Sequence, residues 1–242
     1  MRQQAETRAA PGALRWLERH AARLTVGLVA LLTVAAVGYG VSLGERLRYP
    51  DEREYVTLAR HVAEGRGYTL DGATPTAYRP PGIVIPALVA RLAGAPVAGT
   101  RLLNLLAYGA LLALAAGMGR RLGGPLAGLL AVVAAAACPV LLYTAGTLYP
   151  QTLSALLLLA LLWIYFRERP ARWKRLAACG LVAGCLLLTA PSFVFVLGVL
   201  AVDTVFRDGA RRRGVPHALL LLGVAGLVLL PWQVRNLRAF DR

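Results

Sequence analysis

The chain has 242 residues, of which 57% are hydrophobic and only 16% charged, and it carries a formal net charge of +15. A soluble domain has about 25% charged residues, so these proportions set aside an ordinary globular protein. The arginines punctuate the gaps between apolar runs instead of forming one stripe, which sets aside a nucleic-acid-binding surface.

Residues 1–23 form a basic stretch containing Arg2, Arg8, Arg15, Arg19 and Arg23. The following run, 24–43, has no charged acid or base and is long enough to cross about 30 Å of hydrocarbon. It is longer than a usual signal-peptide core and no small-residue cleavage site follows, so it reads as a retained first span. A polar stretch, 49–81, comes next and is the part of the chain rich in both acids and bases. Pro50 and Asp51 suit a helix start, where proline costs no backbone bond and a carboxylate favours the positive end of the dipole. Tyr55, Leu58, Ala59 and Val62 recur at helical spacing and predict a surface-lying amphipathic helix that ends near Gly65 to Gly67. Asp51 and Glu52 then stand at its N-terminus, either as plain capping carboxylates or as a pair of acids available for chemistry. Further on, Pro80-Pro81 forces extended backbone at Arg79 and Pro80, which fixes where the guanidinium points.

Residues 82–98 are apolar but short, with Arg91 in the middle and Pro86 and Pro96 inside, which predicts a helix lying in or dipping into the interface. Six further spans are expected at 102–119, 125–142, 151–166, 176–190, 192–206 and 215–232. With the N-terminus in the cytoplasm and 82–98 not crossing, Arg120-Arg121 and the basic loops 167–175 and 207–213 all fall inside. The expectation is therefore an all-α polytopic protein of the plasma (inner) membrane with about seven transmembrane helices. Residues 24–242 would form one module, and its first extracytoplasmic loop would be 44–101. Arg235, Arg238 and Arg242 then lie outside, against the usual bias. Asp203 is expected to pair with Arg207 one turn later. Cys138, Cys179 and Cys185 lie in apolar runs without metal-ligand spacing and are expected as small buried hydrophobes. His61 is expected as a solvated helix residue. Tyr143 and Tyr149 flank the second outer turn, where interfacial anchoring is the plain explanation. No P-loop, Rossmann fingerprint or zinc motif is found, and spans nearly free of charge away from their ends argue against a transporter.

Adjacent carboxylates and a proline-stiffened arginine at the lip of a bilayer suit chemistry on a lipid-linked phosphate. Asp51-Glu52, Tyr55, Leu58-Ala59, Gly65-Arg66-Gly67-Tyr68 and Tyr78-Arg79-Pro80-Pro81-Gly82 resemble the first outer loop of the GT-C membrane glycosyltransferases. That superfamily includes protein O-mannosyltransferases and lipid A aminoarabinose transferases. The likeness continues through Arg101-Leu102-Leu103-Asn104, Gly119-Arg120-Arg121-Leu122 and Pro231-Trp232-Gln233-Val234-Arg235-Asn236, in order over nearly the whole chain.

The resemblance implies transfer of a sugar from a polyprenyl-phosphate donor to an acceptor on the extracytoplasmic side. Asp51 would be the catalytic base, and Arg79 would lie at the donor phosphate. Glu52 would be a second acid, orienting a ligand or helping to hold a divalent metal. Tyr55, Tyr78, Tyr149, Gln151, Arg235 and Asn236 would contact substrate. The partners implied are membrane lipids and the lipid-linked donor. Two departures remove charge from the outer face: Gln151 stands where the family often has an acid, and Ala190 where it often has arginine. The likeness is to the family's amino-terminal module. An alternative is thus a non-catalytic or partner-dependent membrane subunit that binds a lipid phosphate or another protein, with a second membrane subunit completing the site.

Overall fold

A computed structural model describes residues 12–167, 171–206 and 211–240. The described residues form helices α1 (Gly12–Leu43), α2 (Pro50–Ala63), α3 (Val84–Leu92), α4 (Pro96–Ala136) and α5 (Pro139–Gly146). After them come α6 (Gln151–Tyr165), α7 (Arg172–Thr189), a short 3₁₀ turn (Pro191–Phe193), α8 (Val194–Phe206) and α9 (Arg211–Phe240). Among the described residues the only extended pairing is an isolated bridge between Thr69 and Pro75.

By length and composition three helices suffice to cross a membrane, at Trp16–Leu43, Pro96–Ala136 and Gly214–Phe240. A fourth crossing is counted if Pro139–Gly146 and Gln151–Tyr165, bent by 120°, make one span. The expected division into seven is finer than this count, and α4 is where the two differ most. Its 41 residues would extend about 60 Å as one rod, twice the hydrocarbon thickness. The rod is broken at Gly123 (φ −146°, ψ 23°) and Gly124 (φ 78°, ψ −171°), just before Pro125. A Cβ at Gly119 would sit 2.5 Å from the carbonyl oxygen of Ala127, and one at Gly128 would sit 2.8 Å from that of Ala116. Residues eight and twelve apart do not touch along one helix, so the chain doubles back here, as the expected break between 119 and 125 requires. Gly124 takes the left-handed conformation that a side chain would oppose.

Two expected boundaries move. Helix α1 begins at Gly12, so the expected start at Leu24 lies inside it; arginines are good helix formers and do not stop it. Helix α3 ends at Leu92, turns through Gly94 (φ 80°) and lets α4 begin at Pro96 rather than Leu102. α3 packs on α2 and α4, and Arg91, in the middle of the apolar run, bonds Glu64 at the end of α2 at 2.9 Å.

The interior is divided among three apolar clusters. Leu161, Cys179, Ala183, Leu186, Leu221 and Ala225 join α6, α7 and α9. Here Gly180 and Gly184 of α7 press against Val224 and Val228 of α9. Ala36, Leu105, Tyr108, Leu112, Val132 and Ala145 bind α1 to both arms of α4 and to α5. Tyr55, Leu58, Ala59, Ile83, Val84 and Ala87 form the third cluster, which seats α2 on α3. Cys179 is buried as expected, but Cys138 is exposed because it occupies the extended break between α4 and α5. His61 is buried rather than solvated: loop 66–76 folds over it, and its Nδ1 lies 2.8 Å from the Thr69 carbonyl oxygen. Asp203 accepts a 2.6 Å hydrogen bond from the Tyr165 hydroxyl, while Arg207, its expected partner, lies outside the described residues.

Candidate functional site

The site is built on the first turn of α2. Tyr49 enters it in extended conformation, Pro50 opens the helix, and Glu52 Oε2 accepts the backbone N–H groups of Arg48 (2.6 Å) and Tyr49 (2.9 Å). This is the carboxylate half of a capping box, satisfying amides that the helix leaves open. Glu52 is wholly buried, and its other oxygen lies 4.0 Å from Arg101 Nη2 with no hydrogen-bond partner. Arg101, also buried, donates from Nε to the Gly146 carbonyl (2.7 Å), from Nη1 to that of Gly44 and from Nη2 to that of Arg46 (3.1 Å). One turn later Asn104 donates to the carbonyls of Thr144 (3.0 Å) and Tyr149 (3.2 Å). Arg101 and Asn104 together pin the end of α1 and the 144–149 turn to the start of α4. Within that turn the buried Leu148 adopts φ 53°, a left-handed conformation unfavourable to a leucine.

Adjacent residues on a helix point about 100° apart, so with Glu52 turned inward Asp51 faces the other way. Its Oδ1 accepts from Arg79 Nη2 at 2.6 Å. Glu54, three residues on and on the same face, accepts from Arg79 Nε at 2.6 Å. The Tyr68 hydroxyl donates to the Arg79 carbonyl at 2.9 Å and fixes its backbone. The rings of Tyr78 and Tyr55 lie 4.6 and 5.5 Å from the guanidinium carbon. Burial works against the Arg79 charge, but the hydrogen bond to Glu54 and the surrounding negative groups outweigh it and raise its pKa. Burial also pushes up the Tyr55 and Tyr68 phenols, so both stay protonated donors.

The structure thus brings together Asp51, Arg79, Tyr55 and Tyr78, the last largely exposed. Tyr149 borders the group: burial raises its phenol pKa first, and the negative charge of Asp51 and Glu52 adds to the rise. Its ring packs edge-on against Tyr49 at 5.9 Å, and the Tyr143 hydroxyl donates to that of Tyr49. Gln151 opens α6 as an exposed residue and makes no hydrogen bond to the Asp51–Arg79 group.

Arg235 approaches from α9. It donates to the carbonyls of Thr76 (2.7 Å) and Tyr68 (2.9 Å) and to Asn236 Oδ1 (2.9 Å). The rings of Tyr68 and Trp232 lie 5.4 and 5.3 Å from its guanidinium carbon. Tyr68 is therefore the link between Arg79 and Arg235. Two open clefts meet at Tyr68 and Arg235. One of about 780 Å³ runs beside Arg66 and Arg238. The other, about 460 Å³, is almost wholly apolar, lined by Ile85, Leu88, Leu188 and Trp232.

Glu52 engages Arg48, Tyr49 and Arg101 while Asp51 engages Arg79, so the neighbouring acids do not form a joint cation site. Among the described residues no group of three His, Cys, Asp or Glu side chains could hold a metal ion. Sequence reasoning missed Glu54, although its i, i+3 spacing from Asp51 was the available signal.

A family model described as dolichyl-phosphate-mannose-protein mannosyltransferase matches residues 79–234. The match opens on Arg79, so Asp51 and Glu54 precede it, and it stops just short of Arg235. Comparison with curated proteins and with solved structures finds no match. Because the family match spans more than half of the chain and the chain folds into apolar helices, the protein belongs to this family of GT-C-type membrane glycosyltransferases.

Proposed function

We propose that the protein transfers a sugar from a polyprenyl-phosphate donor to an acceptor hydroxyl on the extracytoplasmic side of the plasma membrane. The observation that carries this reading is the 2.6 Å contact between Asp51 and Arg79, residues separated by a loop yet held at one point. In the transfer, the bond between the sugar's anomeric carbon and the phosphate oxygen breaks, and its electron pair stays on the phosphate. Arg79 stabilises that developing charge. The acceptor oxygen forms the new bond to the anomeric carbon as its proton passes to the Asp51 carboxylate. The apolar cleft beside Arg235 suits an isoprenoid chain, whose phosphate end would then lie toward the arginines. Tyr55 and Tyr78, whose rings lie beside the Arg79 guanidinium, are proposed to contact substrate together with Tyr149, Gln151 and Asn236, the last bonded to Arg235.

The reading includes seven crossings: α1, the two arms of α4 (the second continued by α5), α6, α7, α8 and α9. The reversal at Gly123-Gly124 supports it, because it makes two antiparallel passes of one helix. It places the N-terminus in the cytoplasm and α2 and α3 at the outer interface. Support comes from the end of the bundle remote from Asp51, where Arg121 donates to the Phe166 carbonyl and shares the Trp163 ring with Arg167. Basic and indole groups together suit a cytoplasmic headgroup layer.

The test is a membrane assay with polyprenyl-phosphate sugars, comparing wild type with Asp51→Asn. Equal turnover by the two forms rejects Asp51 as the base. A second reading, a subunit that binds lipid phosphate but needs a partner for transfer, draws on the uncharged Gln151 and Ala190. Co-purification of another membrane protein that restores transfer to an otherwise inert chain would favour it.

A further inference from the structure

We infer that the two acids on Arg79 have different tasks: Glu54 is a positioning residue that keeps the guanidinium by its Nε, and Asp51, beside the open Nη1–Nη2 edge, competes with the donor phosphate for the arginine's charge. The inference rests on the transferase reading and divides its two acids between tasks.

A guanidinium is a rigid planar fork whose donors face fixed directions. Of its three nitrogens in Arg79, Nε is taken by Glu54 and Nη2 by Asp51, each at 2.6 Å. Nη1 has no hydrogen-bond partner among the described residues. A phosphate binds such a fork best through two neighbouring nitrogens. The edge that leaves Glu54 in place is Nη1–Nη2. Nη2 carries two N–H groups, so the arriving anion can take one while the Asp51 carboxylate, on the other, is its nearest negative neighbour.

The fork is not free to offer another edge. The Tyr55 and Tyr78 rings lie beside the guanidinium at 5.5 and 4.6 Å. The backbone is held by the Tyr68 hydroxyl and by the following Pro80. Glu54, one turn further along α2, grips the internal nitrogen away from the anion's path. Asp51 therefore shares Nη2 with the anion, and its charge opposes the phosphate at that edge, while Glu54, on Nε, stands further off.

The two acids give opposite predictions for equal changes of charge. The experiment measures binding of sugar-free polyprenyl phosphate to the purified full chain in detergent. Removing a competitor, Asp51→Ala tightens binding by about two- to fivefold, the scale of one partly exposed ion pair. Asp51→Asn, as a second variant, does the same. Glu54→Ala removes the same charge but releases the fork, so binding weakens by about two- to fivefold, and Glu54→Asp recovers part of the loss. A general relief of negative field would tighten binding in every case. Shifts of the same sign at both positions, or no gain at Asp51, overturn the division of tasks while leaving transfer itself untouched. Retained binding without any sugar transfer counts against the transferase reading alone. A wild type that fails to bind polyprenyl phosphate overturns both.

Discussion

The cap of α2, α3 and loop 66–82 and the helical bundle it sits on are held by different means. In the cap, α2, α3 and loop 66–82 are tied by directed polar contacts: Arg79 to Asp51 and Glu54, Arg91 to Glu64, and Arg235 to the carbonyls of Tyr68 and Thr76. In the bundle, α7 lies against α9 through Gly180 and Gly184, with scarcely room for a methyl group. Close packing depends on volume and tolerates little insertion, whereas directed contacts depend on where a donor points. A protein that must orient a carboxylate against a guanidinium uses the second kind where chemistry is expected and the first kind elsewhere. Arg101 belongs to both regions, since it is buried in the bundle yet holds the floor of the cap.

The contrast can be broken or sharpened by substitution. The largest cost is expected from Arg101→Met, which leaves Glu52 as an uncompensated buried charge and frees three backbone carbonyls, for about 3–5 kcal/mol of stability. Adding Glu52→Gln should return part of that loss; thermal unfolding in detergent of both single variants and the double variant measures the coupling. Gly184→Val comes next, since its Cβ would meet that of Val228 at 2.5 Å, and about 1–3 kcal/mol of overpacking is expected without any change specific to catalysis. A transfer rate that falls while the protein stays as stable as wild type would blur the distinction drawn here. Tyr68→Phe removes one hydrogen bond to the Arg79 carbonyl, worth about 0.5–1.5 kcal/mol, and should lower transfer while the melting temperature moves little.

The smallest effect concerns acid. Backbone N–H groups of Ala73 and Thr74 hold the Asp71 carboxyl down to about 2. A lowered folded-state pKa gives a contribution present in full above the unfolded value near 4 and lost as pH falls toward about 2. Protection of the Ala73 and Thr74 amides, taken against their intrinsic exchange rate at each pH, should therefore fall as the carboxyl is protonated in the wild type. Asp71→Asn should remove that acid dependence.

Much of the cap was legible in its pattern. The helical spacing of Tyr55, Leu58 and Ala59 named the face of α2 that is buried, and Pro50 named its start. The gap between the expected spans 102–119 and 125–142, marked by Arg120-Arg121, coincides with the break at Gly123-Gly124. The choice between neighbouring acids was not legible. Spacing says that Asp51 and Glu52 face different ways, but which one turns inward depends on Arg101 and on the Arg48 and Tyr49 amides, set by long-range packing. His61 was misjudged for a similar reason: a polar side chain on an amphipathic helix reads as solvated until a distant loop covers it. The start of α1 at Gly12 lay hidden because charge marks a membrane boundary without ending a helix.

The buried Arg101 gathers carbonyls from residues 44, 46 and 146, and Asn104 adds residue 149. Loop 66–82, by contrast, is also held from α7 and α9, through Leu188 to Gly82 and through Arg235 to Tyr68 and Thr76. Loosening of α7 or α9 would therefore reach Arg79 through its loop while leaving Asp51 and Glu54 seated on α2.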